Sequence, residues 1–191
     1  ISSGERSFPD PSVLYAEGRY HAYSTTSSGA SPRNVQVMTS TDLHQWSGLA
    51  DAMPVPPSWS RSLEAGGAFW APTVARFGDR YVLYVAAMHG STSSDDPGWC
   101  IAYATSADAD GPFTPGPRPL LCQVMKQTAR SRVSTTPPGP GRGVIDPQVF
   151  VAPDGATYLH FKALDTPYQL AGVGLTADGT AIRTDAYGLV N

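Results

Sequence analysis

The chain has 191 residues, 41% of them hydrophobic and 15% charged, with 13 basic against 16 acidic side chains and a net charge of -3. This length and composition fit one globular domain with its own core and exclude a disordered or fibrous chain. The lack of a basic stripe or like-charge run excludes the electrostatic footprint of nucleic-acid or anionic-membrane binding and leaves a neutral polar ligand.

No apolar run approaches the roughly 18 residues a membrane span needs. Ile1-Ser2-Ser3-Gly4 has neither the basic nor the apolar region of a signal peptide, so an exported protein is read here in its mature form. The first element, Asp10-Pro11-Ser12-Val13, leads through a turn at Glu17-Gly18 into Arg19-Tyr20-His21-Ala22-Tyr23, where Tyr20, Ala22 and Ser24 alternate with His21, Tyr23 and Thr25 as in a strand. A further strand is expected over Val35–Ser40. It ends in Ser40-Thr41-Asp42-Leu43 running to Trp46, a turn whose Asp bonds its own backbone while the aromatic packs back onto the sheet.

The pattern then repeats. Ala71-Pro72-Thr73-Val74 leads through Phe77-Gly78-Asp79 into the β-rich run Tyr81–Ala87, then Cys100–Thr105, then Ser106-Ala107-Asp108 running to Phe113. The stretch Lys126–Arg142, with Thr135-Thr136-Pro137-Pro138-Gly139-Pro140-Gly141, reads as a loop, either an insertion bordering a site or a mobile segment, and not a domain linker. Beyond it Asp146-Pro147-Gln148-Val149 leads through Pro153-Asp154-Gly155 into Tyr158-Leu159-His160-Phe161. Ala171–Thr176 and a turn at Asp178-Gly179 follow, with only a short remainder to Asn191.

A unit recurring at roughly 60 to 75 residues, with no capped helical segment, predicts an all-β fold in which each unit is one propeller blade. The expected boundaries are blade 1 over about 8–60, blade 2 over about 66–122, a loop over about 123–143, and an incomplete blade 3 over about 144–191. Cys100 and Cys122 form neither a CxxC nor a zinc pattern, which leaves a disulfide or two buried thiols.

In a propeller the first strand of each blade lines the central axis, so side chains at equivalent points converge. Asp10 and Asp146 sit at such points, where the second unit has Ala71. Two carboxylates facing one pocket can divide the work of glycoside hydrolysis, given a third group to protonate the leaving oxygen.

Phe8-Pro9-Asp10-Pro11, Ser40-Thr41-Asp42-Leu43-His44-Gln45-Trp46, Phe69-Trp70-Ala71-Pro72 and Ile145-Asp146-Pro147 together resemble glycoside hydrolase family 43. The resemblance spans essentially the whole chain and implies a five-bladed β-propeller of which this chain supplies about the first three blades. It implies an inverting hydrolase of arabinose- or xylose-containing plant polysaccharides, most simply an exo-acting α-L-arabinofuranosidase or β-xylosidase outside the cell. Asp10 becomes the base that activates water, Asp146 the carboxylate that tunes the acid, and Trp70 the flat face beneath a sugar. Phe69, His89 and Trp99, with Met88, are candidates to border the pocket, against the alternative that aromatic and Met side chains fill the core. His21 and His160 are assigned to structure, and Tyr15, Tyr23, Tyr84 and Tyr103 to packing between blades.

The acid in the family is a glutamate on a later blade, whereas Glu5, Glu17 and Glu64 are the only glutamates here. A companion polypeptide or further segment beyond Asn191 is therefore expected to supply the acid and the remaining blades; the alternative is a non-catalytic carbohydrate-binding propeller. No cofactor is expected. Some relatives hold an axial calcium or other cation, but this sequence has no carboxylate cluster of the kind calcium needs.

Overall fold

The structure is a computed structural model that describes residues 7–27, 31–91, 97–126, 131–164 and 170–190; Glu5 and Asn191 lie outside them. Tight turns decide where the strands reverse. Glu17 and Gly18, at φ of 54° and 76°, form a two-residue turn of the kind whose twist matches the strands it joins, and close β1 (Ser12–Ala16) onto β2 (Arg19–Ser24). Gly78, at φ 62°, does the same between β5 (Phe69–Phe77) and β6 (Arg80–Met88).

Three antiparallel sheets of four strands result. The first adds β3 (Gln36–Ser40) and β4 (Ala50–Asp51) to the β1–β2 pair, and the second adds β7 (Trp99–Ser106) and β8 (Thr114–Pro115) to β5 and β6. A two-stranded hairpin, β9 (Gln123–Lys126) with β10 (Ser131–Ser134), precedes the third sheet. That sheet runs β11 (Val144–Val151), β12 (Thr157–Ala163), β13 (Leu170–Gly174), β14 (Tyr187–Val190).

Two expectations change here. Residues 123–143 are not all loop: Val124 pairs with Val133 across β9 and β10, a strand signal too short to stand out beside the Pro- and Gly-rich stretch after it. The third sheet also has its fourth strand, because Tyr187 reaches back to pair with Gly172. Cys100 and Cys122 are joined as a disulfide, which ties the start of β7 to the root of the hairpin.

The sheets pack face to face through two apolar seams. Tyr23, Val35, Phe69, Leu83 and Phe113 lie in the seam between sheets one and two, and Ile101, Leu121, Leu159, Phe161 and Val173 in that between two and three. β6 serves both, with Tyr81, Leu83 and Val85 facing one seam and Val82 and Tyr84 the other. That double burial explains its unbroken apolar run. β12, at the end of the arc, alternates instead: Leu159, Phe161 and Ala163 are buried while Tyr158, His160 and Lys162 are not. Phe113 packs as expected after its Asp turn, whereas Trp46 stays half-buried with its indole N–H donating to Leu43 O at 3.3 Å. Tyr15, on the outer face of the first sheet, is 63% exposed and rests on Tyr20.

A repeated tether crosses both seams. Tyr23 in β2 donates its hydroxyl to Ala109 O beside the Asp108 turn, and Tyr84 in β6 donates to Gly179 O beside the Asp178 turn at 2.6 Å. Burial raises both phenols far above the ordinary tyrosine range, which keeps them as donors. Tyr84→Phe keeps the ring but leaves the Gly179 carbonyl without this partner, so it is expected to lower unfolding free energy by about 1–2 kcal/mol in denaturant titration.

Candidate active site

Each inner strand begins with an interruption. In β5 the register passes from Trp70 opposite Ala86 to Thr73 opposite Tyr84, and in β11 from Ile145 opposite Lys162 to Gln148 opposite His160. Two residues therefore face one, and the extra pair is Ala71-Pro72 or Asp146-Pro147. A bulge frees its extra residue from the ladder, so proline, with no N–H to offer, fits there. The residue ahead of it adopts left-handed backbone: Ala71 at φ 47°, Asp146 at 56°, and Asp10, ahead of Pro11, at 50°.

In β5 and β11 the X-Pro motif is thus the bulge itself, and Asp10-Pro11, just ahead of β1, gives the same two-against-one count between the Thr25 N–H bond to Pro9 O and the Ser12–Tyr23 pair, so the alternation breaks at three matched points. β1, β5 and β11 run side by side, bridged where Ser12 Oγ donates to Pro72 O at 2.7 Å. Below the bulges they line a cavity of about 460 Å³ that includes Leu14, Tyr23, Thr73, Val74 and Gln148.

Asp10 is exposed except where Thr25 Oγ1 donates to its Oδ2 at 2.8 Å. Partial burial pushes the Asp146 carboxyl up, the Lys162 ammonium opposes that, and the Asp10 charge adds to it. The Asp10 charge thus reaches Asp146, where it disfavours the ionised carboxylate.

Trp70 immediately precedes Ala71 and so stands beside the matched points. Its indole is 37% exposed and lies against Trp99, with ring centroids 4.0 Å apart. Trp99 is 5% exposed, so it is a prop beneath Trp70 and not a wall of the pocket, which corrects its expected role. It is clamped from behind: its N–H donates to Arg142 O at 3.0 Å, and a side chain at Gly143, which sits at φ 116°, would meet Trp99 O at 2.0 Å.

Phe69 is likewise corrected. It is fully buried in the first seam and offers no surface to a ligand. His89, just past β6, stacks on Trp59 with centroids 5.6 Å apart, and the Ser91 N–H donates to its Nδ1 at 3.2 Å. Burial lowers its pKa and favours the neutral ring. It forms this second aromatic pair just beyond the Met88–Trp99 pairing, where its own backbone N–H donates to Gly98 O at 2.9 Å. Among the described residues no group of three or more His, Cys, Asp or Glu side chains is placed to hold a metal ion.

The sequence matches the family model for glycosyl hydrolases family 43 over residues 4–190. The chain belongs to that family. Its fold is similar to that of a thermostable family-43 glycoside hydrolase, at TM-score 0.65 and 21% identity over 94% of this chain and 51% of that one. An α-L-arabinofuranosidase from Clostridium thermocellum matches at TM-score 0.63 and 20% identity, over 95% of this chain and 56% of the other. A β-1,3-galactosidase solved with galactodeoxynojirimycin matches at TM-score 0.69 and 17% identity, over 95% and 61%. The chain thus spans about half the length of the solved structures it matches, and no curated protein matches it significantly.

Within this family-43 chain, the all-β fold carries its sheets as blades of a β-propeller. Two residues beside the aspartates escaped notice in the sequence, Thr25 against Asp10 and Lys162 against Asp146. Each lies across from the residue before its Asp, through the Thr25 N–H bond to Pro9 O and the Ile145–Lys162 pairing. Only the bulge register brings them there. A carboxyl whose folded-state pKa is raised makes the fold lose stability as pH climbs through the carboxylate range. Removing the opposing cation extends that loss. Lys162→Met is therefore expected to lower the melting temperature by on the order of 1–2 °C more at pH 7 than at pH 3, and an equal effect at both pH values would separate Lys162 from Asp146.

Proposed function

We propose that this chain contributes the base side of an inverting glycoside hydrolase that releases terminal arabinose or xylose from plant polysaccharides and oligosaccharides, as an exo-acting α-L-arabinofuranosidase or β-xylosidase. The observation that supports the reading is that Asp10 and Asp146 each precede the proline of an X-Pro step in left-handed backbone, with the Asp10 charge acting on Asp146. Asp10 takes a proton from water as that water attacks the anomeric carbon, and the bond to the leaving oxygen breaks on the opposite face of the sugar. Asp146 holds the proton donor in its acid form through its negative charge. Trp70, flat, half-exposed and propped by Trp99, supports the sugar ring.

The proton for the leaving oxygen comes from a glutamate on a further blade, supplied by a companion polypeptide or a continuing segment. Three observations support this. Glu64, in a short 3-10 turn, accepts hydrogen bonds from its own backbone and Ser62 that hold its carboxyl below the usual range, the wrong direction for an acid. Glu17 sits in the β1–β2 turn, at the far end of β1 from Asp10. The arc also leaves apolar faces for such blades to cover, with Val13 and Tyr15 on one side and Phe150 and Leu170 on the other, all more than a third exposed. The Cys100–Cys122 disulfide supports a place outside the cell, where such bonds persist.

The missing acid favours one other reading, a propeller that binds carbohydrate without cleaving it. Release of p-nitrophenol from aryl arabinofuranoside or xyloside by the protein with all its blades separates the two, since binding to arabinan or arabinoxylan without release supports only the second. Asp10→Asn keeps shape but cannot accept the proton, so turnover is expected to fall by about 10²-fold or more while sugar binding persists. Trp70→Ala is expected to weaken binding of the terminal sugar by about 1 kcal/mol, seen as a raised KM, whereas unchanged kinetics would remove Trp70 from the sugar face.

A further inference from the structure

Thr25, Ala86 and Lys162 occupy one equivalent position in the three sheets, in or just past the second strand and across from the residue that precedes each X-Pro step. Where the bulge carries an aspartate this position is polar, and where it carries Ala71 it is alanine. Thr25 is buried, and its polar groups are spoken for. Its N–H donates to Pro9 O at 3.2 Å, its carbonyl accepts from Gln36 Nε2 at 2.7 Å, and its Oγ1 accepts the Ala71 N–H at 2.9 Å. An amide N–H can only donate, so the Thr25 hydroxyl proton is left for the one acceptor remaining, Asp10 Oδ2 at 2.8 Å.

The donor that sets this direction belongs to the second blade. The next residue repeats the stitch, since Thr26 N–H donates to Phe69 O at 2.9 Å and the Phe69 N–H donates to Thr26 Oγ1 at 2.8 Å. The junction of blades one and two therefore fixes the hydroxyl, and the hydroxyl fixes the carboxylate.

We propose that Thr25 is the positioning residue of the Asp10 base: it holds Oδ2 and so presents Oδ1 to water, with its own orientation imposed across the blade seam by the Ala71 amide. The proposal rests on the reading of Asp10 as the base. Thr25→Val keeps the shape and removes the hydroxyl, while Thr25→Ser keeps the hydroxyl.

In the protein with all its blades, Thr25→Val is expected to lower kcat by about ten- to a hundredfold through misplacement of the base, with KM within about twofold of the parent. Thr25→Ser is expected to restore kcat. On an Asp10→Asn background Thr25→Val should cost nothing further, because the carboxylate it serves is gone. Full kcat in Thr25→Val, or a penalty that persists undiminished beside Asp10→Asn, would overturn the proposal and leave the base assignment standing. Turnover that survives Asp10→Asn, or a parent protein with none, overturns the base assignment and this proposal with it. Should Thr25→Val fail to give a folding transition on heating, Thr25→Ala takes its place in the same comparison.

Discussion

An inner strand of a blade cannot keep strict alternation and also turn a side chain out of its two faces. The two-against-one bulge resolves that conflict, and the rest of the site depends on it. At Ala71 and Asp146 it produces left-handed backbone, which for a residue with a Cβ costs roughly 1–2 kcal/mol. Such a conformation persists only where its surroundings over-determine it. Here they do, because the ladder resumes in register on both sides, proline removes one N–H, and the remaining Ala71 N–H is captured by Thr25. The geometry of the candidate site and the backbone strain are thus the same feature.

The seams connect that feature to the core. Phe69 is fully buried in the first seam while its neighbour Trp70 is left half-open at the rim, so anchoring of the one aims the other. Behind Trp70 the support is relayed through Trp99 to the chain at Arg142 and Gly143, which arrives from the hairpin that the disulfide fastens. The aromatic face is therefore carried by two connections that are far apart in sequence.

The hairpin turns, the three units and the Asp-Pro positions were legible in the sequence because each has a local chemical signature: Gly where φ is positive, apolar residues at strand spacing, proline where no N–H is needed. What was not legible follows from the bulge. Phe69 and Trp70 both read as candidates for the pocket, but as neighbours in one strand they face opposite ways, and packing against the first sheet makes Phe69 the core side and Trp70 the rim. Trp99 is 5% exposed, and its backbone packs closely on Gly143, more than forty positions away in sequence, which no local pattern announces. Thr25 and Lys162 carry no motif at all, and their roles come from which strand residue the bulge leaves opposite. Val124 and Val133 form too short a pattern to mark a hairpin without the anchoring of Cys122 beside them.

The double burial of β6 gives the molecule a built-in way to tell its joints apart. Adjacent residues along that strand have different neighbours: Leu83 looks toward the first sheet and Val82 toward the third, with the same backbone between them. Truncating Leu83 removes apolar contact from the first seam, and truncating Val82 removes it from the second. Two substitutions a single residue apart can therefore ask whether the two carboxylates move as one body or hinge independently about the middle blade.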